Sequence, residues 1–183
     1  MSGTEKKIRT LLLAGTVIFS AYAVDVHAAT DGENGEDSTA TSDITVTIPE
    51  LIQISGVADI ALGTFSGSGS MSGFDDVCIY RNNPASPNYR ITATDSNNGP
   101  GFAVADGGAE IAYSIFWNDA TSNRGTELTY NSPLAAQGNA NTTNLDCDGT
   151  MNARFDVEIS EANLIAAIPG IYEATVTLFV EPQ

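Results

Sequence analysis

SDITVTIPELIQISG, residues 42–56, alternates apolar and polar side chains, breaks at a proline and then resumes. Ile44, Val46 and Ile48 fall on one face and Thr45 and Thr47 on the other, the period-two pattern of a half-buried strand. Pro49 has no N–H to give to a sheet ladder, so it makes a natural break in the strand. The alternation then restarts with Ile52 and Ile54. Two readings fit. The stretch 44–48 is the first strand of the chain's own sandwich, or it is a strand lent to a neighbouring molecule's sandwich, with Pro49 at the hand-over. Its place at the very front of the patterned sequence favours the second.

Downstream, the β pattern continues almost without interruption. DIALGTF brings Ile60, Leu62 and Phe65 into a short strand, and SGSGSMSG reads as a loop because Gly and Ser break regular elements. VCIYR and YRITATD read as strands joined by the turn-rich NNPASPN. DSNNGPG is another turn, followed by a short FAVA. IAYSIFW puts Ile111, Tyr113, Ile115 and Trp117 on one face, with Ala112, Ser114 and Phe116 on the other. Residues 118–150 are mostly polar loop, with a short strand around 127–130. ARFDVEIS points Phe155, Val157 and Ile159 inward and Arg154, Asp156 and Glu158 outward. SEANLIAAIPG predicts one helical turn, capped by Ser160 and stopped by Pro169 and Gly170. The last strand, IYEATVTLFV, carries Tyr172, Ala174, Val176, Leu178 and Val180 on one face. Many short strands with turn signals every ten or so residues predict an all-β, antiparallel, immunoglobulin-like β-sandwich.

Upstream the chain changes character. Lys6, Lys7 and Arg9 precede an apolar run of signal-peptide length, and Val26, His27 and Ala28 fit the small-residue cleavage rule. Residues 1–28 therefore read as a signal peptide, and the product is expected to be exported. Residues 29–43, ATDGENGEDSTATSD, are acidic, small and polar, and predict a disordered leader able to reach up to roughly 50 Å. Without the signal peptide, four arginines face 21 acids, a net charge of −17 with no lysine. Such a surface disfavours nucleic acid and anionic lipid as partners.

Cys78 and Cys147 are the only cysteines. In an oxidising compartment an even count predicts one disulfide, worth roughly 4 kcal/mol on the chain-entropy view. Two buried thiols and a metal site are the rival readings. The one histidine, His27, lies in the signal peptide, so the exported chain has neither His nor Lys. Ser-His-Asp, Cys-His and Ser-Lys machinery and histidine metal sites all need one of those side chains. The Gly-rich GTFSGSGSMSG lacks the lysine of a phosphate-binding loop. Asp75 with Asp76, and Asp146 with Asp148, could be glycosidase acids or calcium ligands, but acidic loops are expected in so acidic a domain. Asn141 opens a glycosylation sequon. Trp117, Tyr130 and Tyr80 are the aromatics a sugar-binding face would use, though Trp117 sits in an alternating strand and reads as core. The expectation is no enzyme, no cofactor and no metal.

Three stretches carry a family resemblance: ITVTIPELIQISG (44–56), CIYRNNPASPNYRITATDS (78–96) with IAYSIFW (111–117), and AAIPGIYEATVTLFVEP (166–182). The chain resembles pilus subunits of the chaperone–usher route, nearest the alternate-chaperone (CS1-like) group and the spore coat protein U domain. That resemblance implies a pilin-like domain over 50–183 that lacks one strand and exposes an apolar groove. It implies a periplasmic chaperone, an outer-membrane usher and other copies of the chain as partners. It implies a donor strand at 44–49, inserting Ile44, Val46 and Ile48, and a groove and chaperone-binding edge strand of Tyr172, Ala174, Val176, Leu178 and Val180. Strand addition of this kind combines main-chain hydrogen bonds with pockets for alternate side chains. Burying three branched side chains is worth on the order of 6 kcal/mol. The implied product is a structural subunit of a cell-surface fimbrium, exported through the periplasm. The alternative is a secreted monomeric, lectin-like β-sandwich. The acidic leader and the cysteine positions depart from the family pattern.

Overall fold

The computed structural model describes residues 29–97 and 99–183; the expected signal peptide, His27 included, lies outside the described residues. The chain divides into two compact units, Met1–Thr47 and Ile48–Gln183. In the first, every described residue, 29–47, is exposed. Thr30 and Thr41 exchange two backbone hydrogen bonds, at 3.1 and 3.0 Å, so the acidic leader closes on itself through one antiparallel bridge.

The second unit is built from strands β1 (Ile52–Ser55), β2 (Met71–Arg81), β3 (Tyr89–Asp95), β4 (Ala103–Asp106), β5 (Ala109–Ala112), β6 (Ser114–Asn118), β7 (Thr126–Glu127), β8 (Leu134–Gln137), β9 (Ala153–Ile159) and β10 (Val176–Pro182), with one helix, α1 (Glu161–Ala166). One sheet runs β1-β2-β9-β6-β7, a second β10-β3-β8, and β4 and β5 form a separate hairpin. All pairings between these strands are antiparallel. Val77, Ile79, Ile115, Trp117, Phe155 and Val157 from the first sheet share one core with Tyr89, Ile91 and Ala93 from the second. The expected antiparallel β-sandwich is thus what the chain folds into, and it does not close into a barrel.

Register follows the alternation. Val180, Leu178 and Val176 lie opposite Ile91, Ala93 and Asp95, all pointing between the sheets. Trp117 is paired with Phe155, and its Nε1 donates to the Tyr89 hydroxyl at 3.2 Å, which donates to Asp119 at 2.6 Å. The two large rings therefore sit in the core with their polar tips satisfied. The predicted disulfide joins Cys78 to Cys147 across a sequence separation of 69. Ser160 caps α1 by accepting from the Asn163 N–H at 3.2 Å, as its sequence signal predicts.

Several local expectations change. Ile60, Leu62 and Phe65 are half-buried, but residues 56–70 form no strand, because their backbone has no strand beside it. The expected loop 66–73 ends early: β2 starts at Met71, where pairing with Ile159 of β9 overrides the weak propensity of Ser72 and Gly73. IAYSIFW keeps its facing but is divided at Tyr113, whose N–H donates to Phe102 O at 3.1 Å. Its first half belongs to the β4-β5 hairpin, and its second half pairs with β9. Gly107 and Gly108, both at positive φ, supply the two-residue turn of that hairpin. The short strand expected at 127–130 lies at Thr126–Glu127, and β8 is an additional strand within the polar region. Asp156 is on the outer face as expected, yet it is buried, for a reason set by its neighbours below.

Candidate functional site

β10 is an edge strand, bonded to β3 on one side only among the described strands. Along it and just before it, Tyr172, Ala174, Val176, Leu178 and Val180 are half-buried, alternating with exposed Ile171, Glu173, Thr175, Thr177 and Phe179. The period-two pattern therefore runs through residues 171–180, although regular pairing with β3 begins only at Val176. Ahead of it, Glu173 bridges to Ala105 by two backbone bonds of 2.9 and 3.1 Å.

The facing wall is the stretch 57–62. After β1 the chain turns at Gly56, at φ 80°, and leaves the edge of β2. It then passes over Gly73: a Cβ there would lie 2.5 Å from Ile60 Cγ2 and 3.1 Å from Leu62 Cδ2. A side chain at position 73 would displace Ile60 and Leu62 from the inner face of β2. Asp75 anchors the crossing, its Oδ2 accepting from Ala58 N–H at 2.6 Å.

Between these walls lies a cavity of about 230 Å³. Ile60 and Leu62 line one side, Ala174 and Val176 the other, and Phe155 and Val157 the floor. It takes in two of the five predicted groove residues, Ala174 and Val176; Leu178 and Val180 pack instead against the core beneath β10. The sequence did not identify the second wall, because Ile60 and Leu62 carry the same alternation whether or not a strand lies beside them. Tyr113 closes one end, and burial pushes its phenol well above the ordinary range, with the Asp95 carboxylate adding to the effect. The cavity lining is mostly apolar.

Ile44, Val46 and Ile48 are 94%, 80% and 77% exposed, and residues 44–49 belong to no strand.

The acidic pairs considered for chemistry are occupied by structural contacts. Asp76 takes a two-pronged contact from Arg154, at 2.6 and 3.0 Å. Asp146 accepts from Asp148 N–H at 3.1 Å, and Asp148 accepts from Asn144 at 2.7 Å, within the turn holding Cys147. Among the described residues no group of three or more His, Cys, Asp or Glu side chains is placed to hold a metal ion. Trp117 is 1% exposed and offers no ring face to a sugar, while Tyr80 and Tyr130 are half-buried. A second depression, of about 330 Å³, is lined by Ala112, Tyr113, Ser114, Glu158, Ser160 and Asn163. It is polar and brings no pair of carboxylates together.

No family model matches the chain. No curated protein matches it. Among solved structures, it is similar to a chain from work reported as "Chaperone-tip adhesin complex is vital for synergistic activation of CFA/I fimbriae biogenesis", with 17% identity and a TM-score of 0.49. The match covers 72% of this chain and 41% of that chain, so this chain spans about two fifths of the other's length.

Proposed function

We propose that the chain is a non-enzymatic structural subunit of a surface fimbrium, polymerised by strand donation between copies. The observation that carries this reading is the coexistence of an open apolar slot, walled by residues 57–62 and 174–176, with an exposed, unpaired β-forming segment at 44–48. Ile44, Val46 and Ile48 of one copy enter the slot of the next, and Pro49 ends the donated strand. Before assembly, a periplasmic chaperone covers the slot and β10, and an outer-membrane usher exchanges it for the incoming copy. The domain boundaries follow: a donor strand over 44–49 and an incomplete immunoglobulin-like domain over 50–183.

The test is to supply the full exported chain with a synthetic peptide spanning residues 42–50. The peptide is expected to bind, to raise the melting temperature and to block polymer growth. A peptide with Asp in place of Ile44, Val46 and Ile48 is expected to do none of these. A chain that stays monomeric and gains no stability from the peptide overturns the reading.

A further inference from the structure

The root of the exposed segment is held by a set of contacts stronger than a connecting loop needs. Asn82 grips it at three points: its Oδ1 accepts from Leu51 N–H at 2.8 Å, its Nδ2 donates to Pro49 O at 2.8 Å, and its N–H donates to Leu51 O at 3.1 Å. The Glu50 carboxylate between them accepts from Asn83 Nδ2 at 3.0 Å and from Arg81 Nη2 at 2.9 Å. These donors hold the Glu50 carboxyl below its ordinary range.

Arg81 is only 2% exposed, one of the most buried large side chains in the molecule. Its other arm faces the opposite way. Nη1 donates to Gln183 O at 2.7 Å, to Asn88 O and to Ser86 Oγ at 3.3 Å. Gln183 N–H in turn donates to Asn88 O at 3.0 Å, just beyond the Tyr89 and Pro182 pair that ends the β3-β10 ladder. One guanidinium therefore bridges the sheet that carries the segment's root and the sheet that carries the open edge strand. A planar fork with fixed arms transmits position between its partners better than a flexible ammonium does. A buried cation also keeps both partners engaged, since releasing either leaves charge or donors uncompensated.

We propose that Arg81, gripping Glu50 on one arm and Gln183 on the other, is a positioning residue that couples the root of the donated segment to the far end of the acceptor strand. Resting on the strand-donation reading above, it makes Arg81 the link through which tension entering at Pro49 reaches β10, the strand that holds the next copy. Load then passes along the fibre without peeling β1 away from β2.

Two variants disturb one end only: Glu50→Gln removes the charge, and Asn82→Ala removes the backbone grip. The readout is hydrogen exchange at the other end, at the Gln183 amide of the full chain. Exchange is expected to rise about tenfold, the effect of weakening one charge-assisted hydrogen bond. Arg81→Lys is expected to raise exchange at Leu51 and Gln183 together. Unchanged exchange at Gln183 in both Glu50→Gln and Asn82→Ala overturns the coupling. In fibres, both variants are expected to assemble as the parent does, because Ile44, Val46 and Ile48 are intact, and to extend at lower force. Normal assembly with unchanged mechanical strength overturns the load path but leaves strand donation standing. Failure of the parent chain to assemble overturns strand donation, and the exchange experiment still decides the coupling.

Discussion

Asp156 shows how one residue's environment can contradict its face. Its register partners are Phe74 on β2 and Phe116 on β6, so a carboxylate on the outer surface is flanked by two rings. The Arg154 guanidinium lies 3.9 Å from the Phe74 ring centre, and that of Arg124 lies 4.6 Å from that of Phe116. Burial raises the Asp156 carboxyl above its ordinary range, with the two arginines opposing the shift. A carboxyl raised on folding favours the folded state when protonated, and that contribution is lost as pH rises through the folded value. Asp156→Asn is therefore expected to be more stable than the parent at neutral pH, with the difference vanishing in acid. Parallel melting curves across pH check this, and a parent that is the more stable of the two at pH 7 counts against it. Glu181 provides the opposite sign: its pairing with Arg90 lowers its carboxyl, so its contribution exists above the ordinary value and is lost as pH falls.

At the scale of elements, the stretch 57–62 matters most. It forms a wall without being a strand, and it can lie where it does because Gly73 leaves room for Ile60 and Leu62. Gly73→Ala forces those side chains outward, and overpacking of this kind typically costs about 1–3 kcal/mol. The expected result is a lower melting temperature together with weaker uptake of the 42–50 peptide, because the same shift deforms the slot. Thermal melts with and without peptide separate the two effects, and a variant identical to the parent in both shows that Gly73 is incidental. The facing of β10 was legible for a local reason, since alternation is written in consecutive residues, whereas the β4-β5 hairpin was missed because IAYSIFW alternates without a break and only pairing divides it at Tyr113. The unpaired state of 57–62 was not legible either, because a missing neighbour leaves no mark on the strand that lacks it.

At the scale of the whole molecule, the disulfide ties β2 to the long polar region that carries β7 and β8. Cys147 and Asp148 both adopt positive φ, at 56° and 53°, in the turn Cys147–Gly149, which also holds its own hydrogen bonds from Asp148 N–H to Asp146 and from Asn144 to Asp148. Replacing both cysteines with alanine is expected to cost about 4 kcal/mol, the loop-entropy value for a closure of this length. Denaturant melts of the double variant measure it, and a loss below about 1 kcal/mol would show that the turn is held by its own hydrogen bonds.

The sequence by itself determined the fold class, the facing of most strands, the helix cap at Ser160 and the apolar, β-forming character of 44–48, and it favoured the bridge between the two cysteines that the structure then shows. Each of these depends on residue chemistry or on a two-residue period, both of which are local. Tertiary structure alone decided where the apolar cavity lies, that residues 57–62 rather than a strand face Ala174 and Val176, that Asp156 is buried, and that Arg81 joins Glu50 to Gln183. Those outcomes depend on which distant segments meet, and the energy of such a meeting belongs to the pair, not to either segment.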